Sequence, residues 1–191
     1  MENEIFKLSE NGYIFSKDLL ENNIPTIYLT RLEKKGKLRK VARGIYILNE
    51  YIEDPFYLLS LQYSKLVFTN KTALYLNQLT NRQLESIEAI FPFGTKIENT
   101  QIKSYFSRNK VYYELGIDYI MTPYGNKVRC YDKERCICNL FLSNITDEEE
   151  KIYVIKEYID NHLNIKKLYT YSDILGCGER IREIFEILLW D

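Results

Sequence analysis

The 191-residue sequence predicts an α+β chain in two parts, on three observations. The first is a short helical pattern that gives way, after Gly36, to two runs rich in branched residues, Lys37 to Val41 and Ile45 to Leu48, with Ala42-Arg43-Gly44 between them for the turn. The second is charge: from Arg31 to Arg43 there are seven Lys/Arg against the single acid Glu33, a local charge of +6 in a chain of net charge −1. The third is the alternation of helical and strand-like segments beyond residue 55. Together they predict an N-terminal winged helix-turn-helix over residues 1–50 and a mixed α/β domain over residues 56–191.

Ile5 and Leu8, at helical spacing, predict a first short helix ending before Gly12. Ser16 suits the N-cap of a second helix, Lys17 to Asn22, that buries Leu19 and Leu20. Asn23 to Pro25 then turns into a third, with Pro25 at its first position and Gly36 just past its end. At ~100° per residue, Ile24, Tyr28, Leu29 and Leu32 fall on one side of this helix and Thr26, Ile27, Thr30 and Lys34 on the other. The second side has the chemistry of a groove-reading surface: Ile27 for a thymine methyl, threonines for base edges or phosphates. Arg31, Lys35, Lys37, Arg39, Lys40 and Arg43 add the cations that a phosphate backbone attracts. A solvated surface hairpin is the plain alternative for the charge run alone.

Asp54-Pro55 predicts a break between the domains. Beyond it, Phe56 to Lys65 and Asn70 to Leu79 read as helices, with Leu66 to Thr69 a short strand or turn between them. Ile87 to Phe91, stopped by Pro92, and Ile102 to Phe106 read as strands. Tyr119 to Thr122 and Lys127 to Tyr131 flank Pro123-Tyr124-Gly125-Asn126, a hairpin signal. Asp132 caps a helix through Phe141, and Thr146 with Glu149 forms a capping box ahead of Tyr153 to Leu163. Ser172 starts a further helical stretch, broken at Gly176 and Gly178, and Ile181 to Leu189 ends the pattern.

Composition bounds the function. No run of about 18 apolar residues exists to span a membrane. The opening MENEIFKLSENGY is acidic and amphipathic, unlike a signal peptide, which predicts a cytoplasmic location. Seventeen tyrosines and three alanines fit the codon bias of an A+T-rich genome. Cys130, Cys136, Cys138 and Cys177 offer a C-x-C but no C-x-x-C pair, and His162 is the one histidine, so no metal or other cofactor is expected and the thiols read as structural. A nuclease would need carboxylates converging on a divalent ion; Asp118, Asp132 and Glu134, with Arg135, lie near predicted strand ends. The last three are better explained as a helix start, and no catalytic residue is assigned.

Three stretches resemble the antitoxin and transcriptional-regulator component of the AbiE abortive-infection systems, which are type IV toxin–antitoxin pairs. They are Leu29, Arg31-Leu32, Gly36, Leu38 and Arg43-Gly44-Ile45-Tyr46; then Thr69-Asn70-Lys71-Thr72-Ala73-Leu74; then Thr122-Pro123-Tyr124-Gly125, Val128, Tyr131-Asp132 and Glu134-Arg135-Cys136-Ile137-Cys138-Asn139. Cys136 and Asn139 stand where that family typically carries a threonine-like residue and an aspartate. The resemblance implies a phage-defence antitoxin whose N-terminal domain binds double-stranded operator DNA and represses its own operon. It implies a C-terminal domain that neutralises a nucleotidyltransferase toxin, without a stable complex being required. The alternative from residues alone is a ligand-responsive repressor with no toxin partner.

Overall fold

A computed structural model describes residues 1–190; Asp191, the last residue of the expected second domain, lies outside the described residues. The chain is α+β and divides into two compact units, Met1–Gln62 and Tyr63–Asp191.

The first unit runs α1 (Glu2–Lys7), β1 (Tyr13–Phe15), α2 (Ser16–Glu21), α3 (Ile27–Lys34), β2 (Leu38–Ala42), β3 (Ile45–Leu48) and α4 (Pro55–Gln62). Its three strands form an antiparallel sheet in the order β1-β3-β2. Both faces of the central strand are buried, which is why Ile45-Tyr46-Ile47-Leu48 is apolar without alternation. Tyr46 and Leu48 join Ile5, Ile14, Leu19, Leu29, Leu32 and Leu38 in a core with the three leading helices. Ile45 and Ile47 face the other way and pack with Tyr13 and Leu58 of α4. The pattern of residues does not predict β1, because three residues are too few to show a period.

Local details correct several expectations. Ser16 is not the cap of α2: its N–H bonds Gly44 O at 2.8 Å, and extended Phe15 holds the cap position. Leu19 is buried, but Leu20 is 63% exposed, because a six-residue helix presents one narrow stripe to the core. Pro25 does not open α3. Asn23, at φ +57°, ends α2 in a Schellman turn, with Ile24 N–H bonding Leu19 O at 2.7 Å and Asn23 N–H bonding Leu20 O at 3.0 Å. That turn carries Ile24 and Pro25 outside the helix, and Thr26 becomes its cap. Asp54-Pro55 starts a helix instead of breaking one. The buried Asp54 accepts from Phe56 N and Tyr57 N at 3.0 and 3.1 Å, and Pro55 takes the first helical position. Asp54 N–H in turn donates to Tyr13 Oη at 3.0 Å, and the first unit extends past residue 50 to take in α4.

The second unit holds a five-stranded mixed sheet, order β6-β5-β4-β8-β7, built from β4 (Val67–Phe68), β5 (Ile87–Pro92), β6 (Ile102–Ser107), β7 (Ile117–Met121) and β8 (Lys127–Tyr131). The expected hairpin is β7–β8, in register from Ile117↔Tyr131 to Met121↔Lys127. The helices are α5 (Asn70–Leu76), α6 (Lys110–Glu114), α7 (Lys133–Leu142), α8 (Glu148–His162), α9 (Ile165–Leu175) and α10 (Gly178–Trp190). Asp132 caps α7 as expected, accepting from Arg135 N at 2.8 Å. The cap of α8 is Asp147, accepting from Glu150 N, and not Thr146. Ser172 does not start a helix: it lies buried inside α9, which begins at Ile165 with Asn164 as its cap.

Candidate nucleic-acid interface

The helix α3 has two chemical faces. Leu29 and Leu32 are buried and Tyr28 is half-buried, which fixes the rotation of the helix and turns Thr26, Ile27, Arg31 and Lys34 to solvent, with Thr30 half-buried between. Ile27 is 53% exposed, an apolar side chain that nothing in the first unit's core claims. The C-terminal end is fixed as sharply. Gly36 takes φ +70°, and Gly36 N–H and Lys37 N–H bond the carbonyls of Glu33 and Leu32 at 2.9 and 3.0 Å. The chain therefore turns from helix into β2 over a few residues, and the cations of the two elements follow one another closely.

The hairpin distributes its cations unevenly. In the β2–β3 register Leu38 pairs with Leu48, Arg39 with Ile47 and Lys40 with Tyr46, and a bulge shifts the register before Ala42 pairs with Ile45. Lys40 thus lies on the side of Tyr46 and the leading helices, and Arg39 on the side of Ile47 and α4. Arg39 is occupied there, donating to Tyr51 O at 3.3 Å with Glu53 at 4.0 Å. Lys37 is paired with Glu2 of α1. That bond holds the Glu2 carboxyl below its ordinary value, and the charge of Lys35 adds to it. Arg31 lies over the Tyr28 ring, 5.3 Å from its centroid. For Lys34, Lys35, Lys40 and Arg43 no ion pair occurs among the described residues.

The ten residues singled out in the sequence therefore fall into two groups. Thr26, Ile27, Thr30, Arg31, Lys34 and Lys35 belong to α3 and its end, and Lys40 and Arg43 to the hairpin. Lys37 and Arg39 have acidic neighbours of their own. Sequence reasoning misses those restraints because Glu2 and Glu53 lie far from them along the chain. The acidic first turn of α1, Glu2 and Glu4, is the available signal.

In the second unit, Asp118 accepts from Tyr119 N at 2.7 Å. Asp132 and Glu134 meet at Lys167, whose Nζ lies 3.1 and 2.8 Å from their oxygens, and they accept from Tyr171 and Tyr158 hydroxyls. Burial pushes the Asp132 carboxyl up. Burial opposes the Lys167 charge, but its bonds to Glu134 and Asp132 raise the ammonium overall. Among the described residues, no three His, Cys, Asp or Glu side chains gather in a metal-holding group. The four cysteines are free and buried.

The first unit thus joins three short helices to a basic hairpin. Residues 3–49 match the model of the family described as "Transcriptional regulator, AbiEi antitoxin", so the resemblance seen in the sequence is matched over this segment. The fold is also similar to the crystal structure of the RV2827C protein from Mycobacterium tuberculosis, at a TM-score of 0.59 and 11% identity, covering 90% of this chain and 70% of that one. No curated protein matches the chain. Among the described residues, no helix is long and apolar enough to cross a membrane.

Proposed function

We propose that this chain is an autoregulating antitoxin whose first unit is a winged helix-turn-helix that binds double-stranded operator DNA. In this reading α2 and α3 are the helix-turn-helix and the β2–β3 hairpin is the wing. Thr26, Ile27, Thr30 and Lys34 read the major groove. Arg31, Lys35, Lys40 and Arg43 hold phosphates, and Lys37 and Arg39 join them once their acids yield. The observation that carries the reading is the solvent-facing side of α3, hydroxyl-bearing and cationic within a segment that matches the AbiEi regulator model.

The second unit, in this proposal, neutralises a nucleotidyltransferase toxin. Support comes from the family match next to it and from the resemblance at Thr69 to Leu74 and Thr122 to Asn139. The test of the first half is a gel-shift titration on the chain's own upstream DNA and on a scrambled duplex, at two salt concentrations. Site-specific binding that weakens with salt is expected; equal binding to both duplexes, or none, overturns it. Co-expression with the adjacent toxin gene tests the second half, and failure to rescue growth overturns that half alone.

A further inference from the structure

The second unit contains a buried cation with no ion pair among the described residues. Arg135, on α7, is fully buried at 0% exposure. Its guanidinium lies between two tyrosine rings, 4.2 Å from the centroid of Tyr112 and 4.6 Å from that of Tyr131. Nε donates to Asn139 Oδ1 at 3.0 Å and one terminal nitrogen to Leu115 O at 3.4 Å. The other terminal nitrogen has no hydrogen-bond partner among the described residues. The acids nearest in sequence, Asp132 and Glu134, are committed to Lys167.

Arginine keeps its charge in a protein interior, and a buried charge is normally paired. The rings and the two bonds fix this guanidinium in place, so it cannot reach solvent. A buried water could accept from the free nitrogen but would bring no charge. Beside it is a cavity of about 280 Å³, in which Arg135 is the one charged lining residue and Thr69, Asn70, Ser107 and Asn139 supply hydroxyls and amides. Asn139 Nδ2 also reaches Thr69 Oγ1 and Asn70 Oδ1, at 3.3 and 3.4 Å, which ties the arginine to that wall. The size suits a small molecule.

We infer that this cavity binds a small ligand through an oxyanion, phosphate or carboxylate, held by the unpartnered terminal nitrogen of the Arg135 guanidinium. The inference stands apart from DNA binding by the first unit. Calorimetric titration of the full chain in chloride buffer with inorganic phosphate, and separately with acetate, tests it. One-site saturable binding of either is expected, the preferred probe telling phosphate from carboxylate. Asn139→Asp supplies Arg135 with a carboxylate of its own and should weaken that binding at least tenfold while the unfolding temperature without ligand is kept or raised. Ser107→Asp, at the half-buried rim, adds a carboxylate to the same cavity without touching the buried network, and should weaken binding too, whether or not the first variant folds. No saturable binding of either anion at tens of millimolar, or binding unchanged in the folded variants, overturns the inference.

Discussion

The two units treat charge in opposite ways. In the first, the cations of α3 and the hairpin stay at the surface, and the one buried carboxylate among the described residues, Asp54, is a helix cap. In the second, Glu88, Asp132, Glu134, Glu150 and Arg135 are all buried, most of them against a named partner such as Lys103, Lys167 or Arg82. An exposed lysine gives up little hydration when it meets a phosphate, so the first unit's charge is available to a polyanion. A buried charge is costly unless its partners are held in place, so the second unit's charge constrains the fold around it. Charge is therefore left available in one region and fixes placement in the other.

Two glycines break that comparison most directly. Gly116 has φ +82°, and a Cβ there would lie 2.6 Å from Arg135 Cβ and 3.2 Å from Asp132 Oδ1. Gly116→Ala should cost the second unit about 2 to 4 kcal/mol, strain and overpacking together, because the buried arginine cannot retreat. Gly36 has φ +70°, but a Cβ there would meet nothing within 4 Å, so Gly36→Ala should cost only about 1 kcal/mol. Urea unfolding of both variants measures the difference; equal losses would mean that Arg135 is not a rigid element.

On the DNA side, Thr30→Val and Lys34→Ala should each cost roughly 1 to 3 kcal/mol at the preferred site if they contact bases, and little on random DNA. Equal losses on both would assign α3 to the backbone only. The hairpin offers a finer contrast. Lys40→Ala with Arg43→Ala should lower the log–log salt slope by about 1.8, two phosphate contacts' worth. Lys37→Ala with Arg39→Ala should lower it less, because Glu2 and Glu53 already engage those side chains. A larger drop for the second pair would show that the ion pairs dissolve on binding.

Legibility in the sequence follows how local each signal is. The β7–β8 hairpin and the Asp132 cap are readable because turn and cap chemistry lie within a few residues. Gly36 is readable for the same reason. Asp54-Pro55 carries the right residues and an ambiguous meaning: an aspartate before proline serves a loop as well as a cap, and the packing of Leu58 on Ile45 and Ile47 decides for the helix. The strand β1 and the helix α6, three and five residues long, are too short for any period. Within the candidate interface, the faces of α3 are legible from spacing, but which cations already have acidic neighbours depends on residues brought together only by folding. The surroundings of Arg135 belong to the same class, since its rings come from α6 and the end of β8.

The smallest expected effect concerns the exposed end of the second unit's charge network. Thr146 and Asp147 both offer a cap for α8, and the choice of Asp147 goes with its ion pair to Arg82, which also lies 3.3 Å from Glu150. The bond from Arg82, helped by the Glu150 N–H, holds the Asp147 carboxyl down at about 2, against an ordinary 3.8. A carboxyl lowered on folding contributes stability that is full above its unfolded value and lost as pH falls through its folded one, here between 3.8 and about 2. Asp132 works in the opposite sense, because burial raises its carboxyl and a proton is taken up more readily in the folded state. Asp147→Asn should therefore flatten the acid loss of stability in that window and lower the neutral-pH value by the same amount, a small one because the pair is exposed and screened. Denaturation midpoints at about pH 3 and about pH 5, inside that window and above it, measure the change. An acid loss as steep as in the parent would place the cap's contribution in its hydrogen bond to Glu150 N alone, which the asparagine keeps.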